Sequence, residues 1–216
     1  MKEAVRHGYL AGGGLRSPDK KNFYLGIPKN ASTYLSNTLL ANGWHYHTLG
    51  DDSDKITHAM VVLKDPVDRW VSGVGTYISS WILGPGYGSD HFVEHYNNLS
   101  ERLLFETLIL DDHTTPQIDY INQLEQLLPG VPITYFKLDQ FIIDNMGACI
   151  TQPLTVTAVE SNISEDHYDQ QVVVKFIKKR ILADFTLKAK IVARFQEDYD
   201  FINRTQFYYE PRQLNR

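Results

Sequence analysis

Two short polar loops carry the side chains best able to do chemistry in this chain. The first reads Ile27-Pro-Lys-Asn-Ala-Ser-Thr33, between an apolar run and a helical pattern. N–H groups at a helix start point outward unpaired, and the helix dipole adds about half a positive charge there. Lys29 with the hydroxyls of Ser32 and Thr33 at that end makes a compact cradle for a phosphate-like anion. The order is not that of a Walker A loop, which needs glycines before the lysine and a hydroxyl directly after it. The second loop reads Lys64-Asp-Pro-Val-Asp-Arg-Trp-Val-Ser72. Arg69 and Ser72 are three apart and share a helix face, and Lys64 converges from the strand end before them. A guanidinium there suits a planar, bidentate anion. The plainer alternatives are a solvated Lys29 with Ser32 as a helix cap, and surface pairing of Asp65 with Arg69 or of Asp68 with Ser72.

These loops need strands and helices to position them. Phe23–Ile27 is an apolar run of strand length, followed by a helix from about Thr33 to Asn42 that Gly43 ends. A short strand fits Trp44–Thr48. Ala59–Leu63 is another apolar run, followed by a helix from Val67 to about Leu83 with Asp65 as its cap and Pro66 in its first turn. Two more helices fit Asp90–Asn97 and Leu99–Leu110. Ile133–Leu138 reads as a strand, Asp139 caps a helix through Asn145, and Ser164–Asn203 is helical by its three- and four-residue apolar spacing. The clusters Gly12–Gly14 and Gly84–Gly88 read as loops. Strands alternating with helices imply an α/β fold, a three-layer sandwich around a mainly parallel sheet. In such sheets ligands bind beyond the carboxyl ends of the strands, where both loops fall.

At 216 residues the chain suits one domain, given about 150 residues per domain. Segment 1–21 reads as an N-terminal extension, 22–203 as the core and 204–216 as a tail. The net charge of −5 gives no global positive field to recruit nucleic acid or a membrane, yet leaves room for a local anion pocket. One cysteine, Cys149, excludes an intrachain disulfide. The sequence shows neither an apolar leader nor a run of about 18 apolar residues, so the expectation is a cytoplasmic protein without a membrane segment.

Taken in order and spacing, Phe23–Thr33 resembles the 5′-phosphosulfate loop of sulfotransferases. Lys64–Ser72 resembles their 3′-phosphate motif, usually written Arg-x-Pro-x-x-Arg-x-x-Ser. Asp112-His-Thr-Thr-Pro-Gln117 is similar to the His-x-x-Pro-Gln segment of the Golgi-type carbohydrate sulfotransferases, and Phe195–Ile202 to their Asp-x-x-x-Phe ending. The likeness spans roughly residues 22 to 202 and suggests a compact soluble form of bacterial or viral kind. Two departures stand out. Lys64 replaces the usual arginine, and Ala31 stands where glycine is common, so the loop must keep φ negative there or accept strain.

The resemblance implies a P-loop-NTPase-like sulfotransferase fold. It implies 3′-phosphoadenosine 5′-phosphosulfate as donor, adenosine 3′,5′-bisphosphate as product, and a hydroxyl acceptor of small-molecule or carbohydrate kind, with no metal required. Lys29 then meets the charge developing on the departing 5′-phosphate. Asn30, Ala31, Ser32, Thr33 and Tyr34 line that phosphate, and Lys64, Arg69 and Ser72 hold the 3′-phosphate. His113 is the first choice of general base, with His47, His58, Glu94 and Glu106 as alternatives. Two other functions compete. One is a non-catalytic anion- or glycan-binding module on the same fold. The other is a zinc peptidase using His91, Glu94 and His95, which match His-x-x-Glu-His. Lys175, Lys178, Lys179 and Arg180 read as a solvated helix face, with a role for one of them near the nucleotide as the alternative.

Overall fold

The computed structural model describes residues 13–50, 53–77, 108–156 and 165–209. The chain divides into two compact units. The first comprises residues up to Lys64, then 117–160 and 201 onward; the second comprises 65–116 and 161–200.

The first unit is built on a five-stranded mixed sheet of order β3-β1-β2-β4-β5. Its strands are β1 (Gly13–Arg16), β2 (Asn22–Leu25), β3 (His45–Thr48), β4 (His58–Leu63) and β5 (Ile133–Lys137). β2, β4 and β5 are parallel, whereas β1 runs antiparallel to both β2 and β3. The sheet is therefore α/β in character but only partly parallel, against the expectation of a mainly parallel one. The difference lies in β1, which forms from the segment read as loop and extension. Gly14 explains why glycine stands there: a Cβ would meet the Tyr24 carbonyl oxygen at 2.3 Å and the Phe23 ring at 2.5 Å. At that position the missing side chain permits the pairing.

Alternation along β2 and β4 fills both faces of the sheet, as expected of strands buried on two sides. Phe23, Leu25, Ala59, Val61 and Leu63 pack with Tyr120, Ile121 and Leu124 of a helix, α3 (Gln117–Leu127), which the sequence reading did not include. Tyr24, Met60, Val62 and Phe136 pack with Leu35 and Leu39 of α1 (Ser32–Ala41) and with Ile142, Ile143 and Met146 of α4 (Ile142–Cys149). Asp139 does not cap α4; its carboxylate accepts from the Phe141 N–H at 2.8 Å, two residues on, as in an Asx turn.

In the second unit, α2 (Pro66–Tyr77) contributes Trp70, Val71 and Val74 to a core with Leu108. Ile177 and Ile181 come from α5 (Glu165–Ala183), Leu187 and Ile191 from α6 (Phe185–Arg194), and Phe195 closes the cluster. The Asp184 carboxylate caps α6 through the Leu187 N–H at 3.0 Å. A last helix, α7 (Gln196–Arg204), completes seven helices among the described residues. The helical tail of the sequence reading is thus three helices. The two expected helices between 90 and 110 lie outside the described residues, save for 108–110, which are not helical. Among the described residues no helix is long and apolar enough to cross a membrane.

Candidate functional site

In the first unit the chain leaves β2 through Gly26–Ala31 and enters α1. Lys29 (φ 67°) and Ala31 (φ 58°) both take left-handed backbone conformations. The loop therefore accepts strain at Ala31, the position where glycine was the expected residue. Ala31 occupies the cap position of α1 without any side-chain cap, and the first turn holds no acidic residue. The helix's own first turn, Ser32, Thr33 and Tyr34, therefore brings no carboxylate to the positive end of the helix dipole. A left-handed alanine costs about 1 kcal/mol more than glycine at the same angles. Ala31→Gly should raise stability by roughly 0.5–1 kcal/mol in a urea titration, and a loss of stability would mean the loop angles differ in solution.

Asn30 points inward. Its side chain is fully buried and donates to the Val62 carbonyl at 2.8 Å and to Gln117 Oε1 at 2.7 Å. Gln117 is almost as buried and pairs with both backbone groups of Lys64. Its Oε1 accepts from the Lys64 N–H at 3.1 Å, and its Nε2 donates to the Lys64 carbonyl at 2.9 Å. Asn30, Gln117 and Lys64 therefore tie the loop after β2 to the end of the neighbouring parallel strand β4. The Asn30 Oδ1 is buried without a hydrogen-bond partner among the described residues. Sequence reasoning placed Gln117 in a motif without giving it a role. The only signal was a polar residue opening a helix of apolar period, Ile118, Ile121, Leu124 and Leu128.

In the second unit, Asp65 caps α2 as expected, accepting from the Asp68 N–H at 2.9 Å. Asp68 itself pairs with Lys178 at 2.8 Å on the surface. The Arg69 side chain is 1% exposed. Its guanidinium donates to the Thr115 carbonyl and, at 3.3 Å, to that of Asp112. Arg69 thus grips the loop that carries His113. Gly73, one turn on, lets the loop approach, since a Cβ there would meet the His113 carbonyl oxygen at 2.3 Å. Ser72 is partly buried on α2, and its carbonyl accepts from Thr76 Oγ1 at 3.2 Å.

His113 Nδ1 lies 3.0 Å from Asp111 Oδ2 and 2.9 Å from Asp112 Oδ1. Two acceptors at Nδ1 require the proton there, which leaves Nε2 of the neutral ring as the acceptor. An imidazole held in one tautomer by a carboxylate is suited to general-base work. The donor atoms of Asp111, Asp112 and His113 fall within 4.8 Å of one another, a spacing that a cation could also use.

The alternatives fare differently. His58 opens β4, whereas Lys64 follows its end, about 20 Å away along an extended strand. The two are not brought together. His58 Nδ1 meets Asn22 Oδ1 at 3.0 Å and Nε2 meets Thr134 Oγ1 at 2.8 Å, with Cys149 Sγ 3.9 Å away. Burial lowers the His58 pKa below its usual 6.5 and raises that of the Cys149 thiol. The neutral imidazole is therefore the folded form. Stability should be full above pH 6.5 and fall as pH drops through the lower folded value, because the unfolded chain then binds the extra proton. His58→Asn should flatten that acid limb in urea titrations at stepped pH; an unchanged limb would assign it to other groups. His47 comes level with Leu25 two strands across, about 10 Å from β2, with its ring edge-on to Phe23. His91, Glu94, His95 and Glu106 lie outside the described residues.

A hollow of about 420 Å³ in the first unit is lined by Glu125, Leu128, Gly130, Val131, Ile133 and Tyr135 and offers neither a cation nor an activated nucleophile. Comparison with known proteins finds no family model, no curated protein and no solved structure that matches this chain.

Proposed function

We propose that the chain is a sulfotransferase, moving the sulfuryl group of 3′-phosphoadenosine 5′-phosphosulfate to an acceptor hydroxyl, with a carbohydrate as the favoured acceptor. The observation that carries this reading is the Lys29 loop: a cation and a helix start without a side-chain cap or a first-turn acid, at the carboxyl end of a parallel strand whose parallel neighbour β4 is followed by Lys64–Ser72. In this reading Lys29 and the first turn of α1 bind the 5′-phosphosulfate, while Lys64, Arg69 and Ser72 serve the 3′-phosphate. The acceptor oxygen forms a bond to sulfur as the bond from sulfur to the 5′-phosphate oxygen breaks. The electron pair stays on that oxygen, where Lys29 meets it, and the acceptor proton passes to His113 Nε2. Positioning and charge stabilisation dominate such an in-line transfer, as they do for phosphoryl groups, and no metal is required.

A second reading is an anion- or glycan-binding module without turnover, in which the Arg69 guanidinium, already donating to two backbone carbonyls, braces the His113 loop rather than meeting a 3′-phosphate. Calorimetry with adenosine 3′,5′-bisphosphate, paired with an assay of labelled donor against glycans, lipids and small alcohols, separates the two. Sulfotransferase function predicts bisphosphate binding roughly tenfold or more tighter than ADP, because a 3′-phosphate gains charge-assisted hydrogen bonds. It also predicts label transfer. Binding without transfer supports the second reading, and no binding by the wild-type protein defeats the first.

A further inference from the structure

The charge of this chain is unevenly spread. Of its 21 lysines and arginines, seven lie within residues 175–194, together with one acid, Asp184. That stretch carries +6, while the rest of the chain carries −11. It forms the end of α5 and all of α6, joined through Asp184.

The apolar residues of this helix pair divide into two sets. Ile177, Ile181, Leu187 and Ile191 are buried in the core of the second unit. Leu182 and Phe185, on either side of the turn, are instead 66% and 82% exposed. Helical spacing puts Lys175, Lys178, Lys179 and Leu182 along one stripe of α5, and Phe185 and Lys188 one turn apart on α6. The turn therefore carries two exposed apolar side chains, with exposed lysines one to two turns away along each helix. Among the described residues, the acids of the flanking segments lie elsewhere or are engaged. Glu165, Asp166 and Asp169 open α5, roughly 20–27 Å along its axis from Ala183. Glu197, Asp198 and Asp200 stand on α7, beyond the far end of α6. Asp184 serves as a helix cap, and Asp68 offsets Lys178 alone.

We propose that this turn is a docking surface for an anionic phospholipid bilayer, with Leu182 and Phe185 entering the interface and Lys175, Lys179 and Lys188 meeting the headgroups. Cations alone would suit any polyanion. The exposed leucine and phenylalanine select the bilayer, because an apolar side chain gains free energy by leaving water for acyl chains and gains little against a sugar–phosphate backbone or an acidic glycan. An anionic surface attracts this stretch and repels the rest of the chain, whose net charge is −11, and both forces act only within a Debye length of about 10 Å. The protein would lie on the membrane rather than span it, reversibly, since a single cluster of this size is a weak anchor. The inference does not depend on the sulfuryl-transfer reading.

The test is sedimentation of the full chain with vesicles of phosphatidylcholine alone or with about a third phosphatidylserine, at about 0.1 M salt. The protein should sediment with the phosphatidylserine vesicles only and be released as salt rises. Phe185→Ser should weaken that binding about tenfold, and the Lys179→Ala, Lys188→Ala double variant about 25-fold, each remaining as folded as the wild type by circular dichroism. Heparin and RNA serve as comparison polyanions. Sedimentation indifferent to phosphatidylserine overturns the proposal. So does vesicle binding unaffected by Phe185→Ser, since the turn would then be a general polyanion surface.

Discussion

On the sulfotransferase reading, Lys29→Ala should lower sulfuryl transfer about a hundred- to a thousandfold while weakening adenosine 3′,5′-bisphosphate binding less than about tenfold. The asymmetry follows from where charge develops. In the bound donor the negative charge is spread over phosphate and sulfate oxygens, and the helix start shares in holding it. In the transition state the leaving 5′-phosphate oxygen gains charge, and the one ammonium in that loop is worth most at that moment. Removing a single preorganised donor to a developing oxyanion costs about 2.7–4 kcal/mol in comparable sites. Lys29 sits at a left-handed backbone position within a loop anchored by the buried Asn30 side chain. The substitution should therefore leave the loop in place, and an unchanged urea midpoint would show it. Single-turnover transfer measured beside calorimetry separates the outcomes. A parallel loss of binding and turnover would make Lys29 a ground-state phosphate holder. Undiminished turnover would remove it from the chemistry.

Why Lys29 stands out in the sequence, while the partners of Asn30 and Arg69 do not, is a matter of which forces are local. Apolar runs of strand length followed by a polar loop and a helical period mark β2 with α1 and β4 with α2, because burial on both faces demands those residue types in consecutive positions. The capping of α2 by Asp65 is equally local, a carboxylate meeting an N–H three residues on. The direction in which a loop side chain points is not local. Asn30 belongs by type to an anion-binding loop, yet its partners are the carbonyl 32 residues on and the amide 87 residues on. Arg69 likewise spends two of its hydrogen bonds on carbonyls 43 and 46 residues downstream. Only the folded chain brings such partners together. β1 is hidden in the sequence for a related reason: three successive glycines resemble a loop, whereas Gly14 is there because a second strand passes too close for a side chain. The α3 period, Ile118, Ile121, Leu124 and Leu128, is by contrast local and legible.

Gln117→Leu should be strongly destabilising, lowering stability by roughly 3–4 kcal/mol. The chain quits this unit after Lys64 and re-enters it at Gln117, and the Gln117 side chain closes that gap by pairing with both the N–H and the carbonyl of Lys64. A leucine fills similar volume but leaves those two backbone groups without that amide, and Asn30 Nδ2 with only the Val62 carbonyl. Each buried polar group stripped of its partner costs about 1–3 kcal/mol, against a total stability of about 5–15 kcal/mol for an ordinary domain. Because Gln117→Leu changes shape as well as hydrogen bonding, Gln117→Glu supplies the discriminating measurement. As a protonated acid, glutamate keeps an acceptor for the Asn30 and Lys64 donors and an O–H for the Lys64 carbonyl. Ionised, it turns a buried charge toward that carbonyl, so its folded pKa should be raised. Gln117→Glu should therefore be near wild-type below about pH 4.3, the unfolded value, and lose stability as pH rises through the higher folded value. The wild-type protein has no such limb from this position. A Gln117→Glu stability curve parallel to the wild type across that range would mean that this side chain does not hold the two loops together.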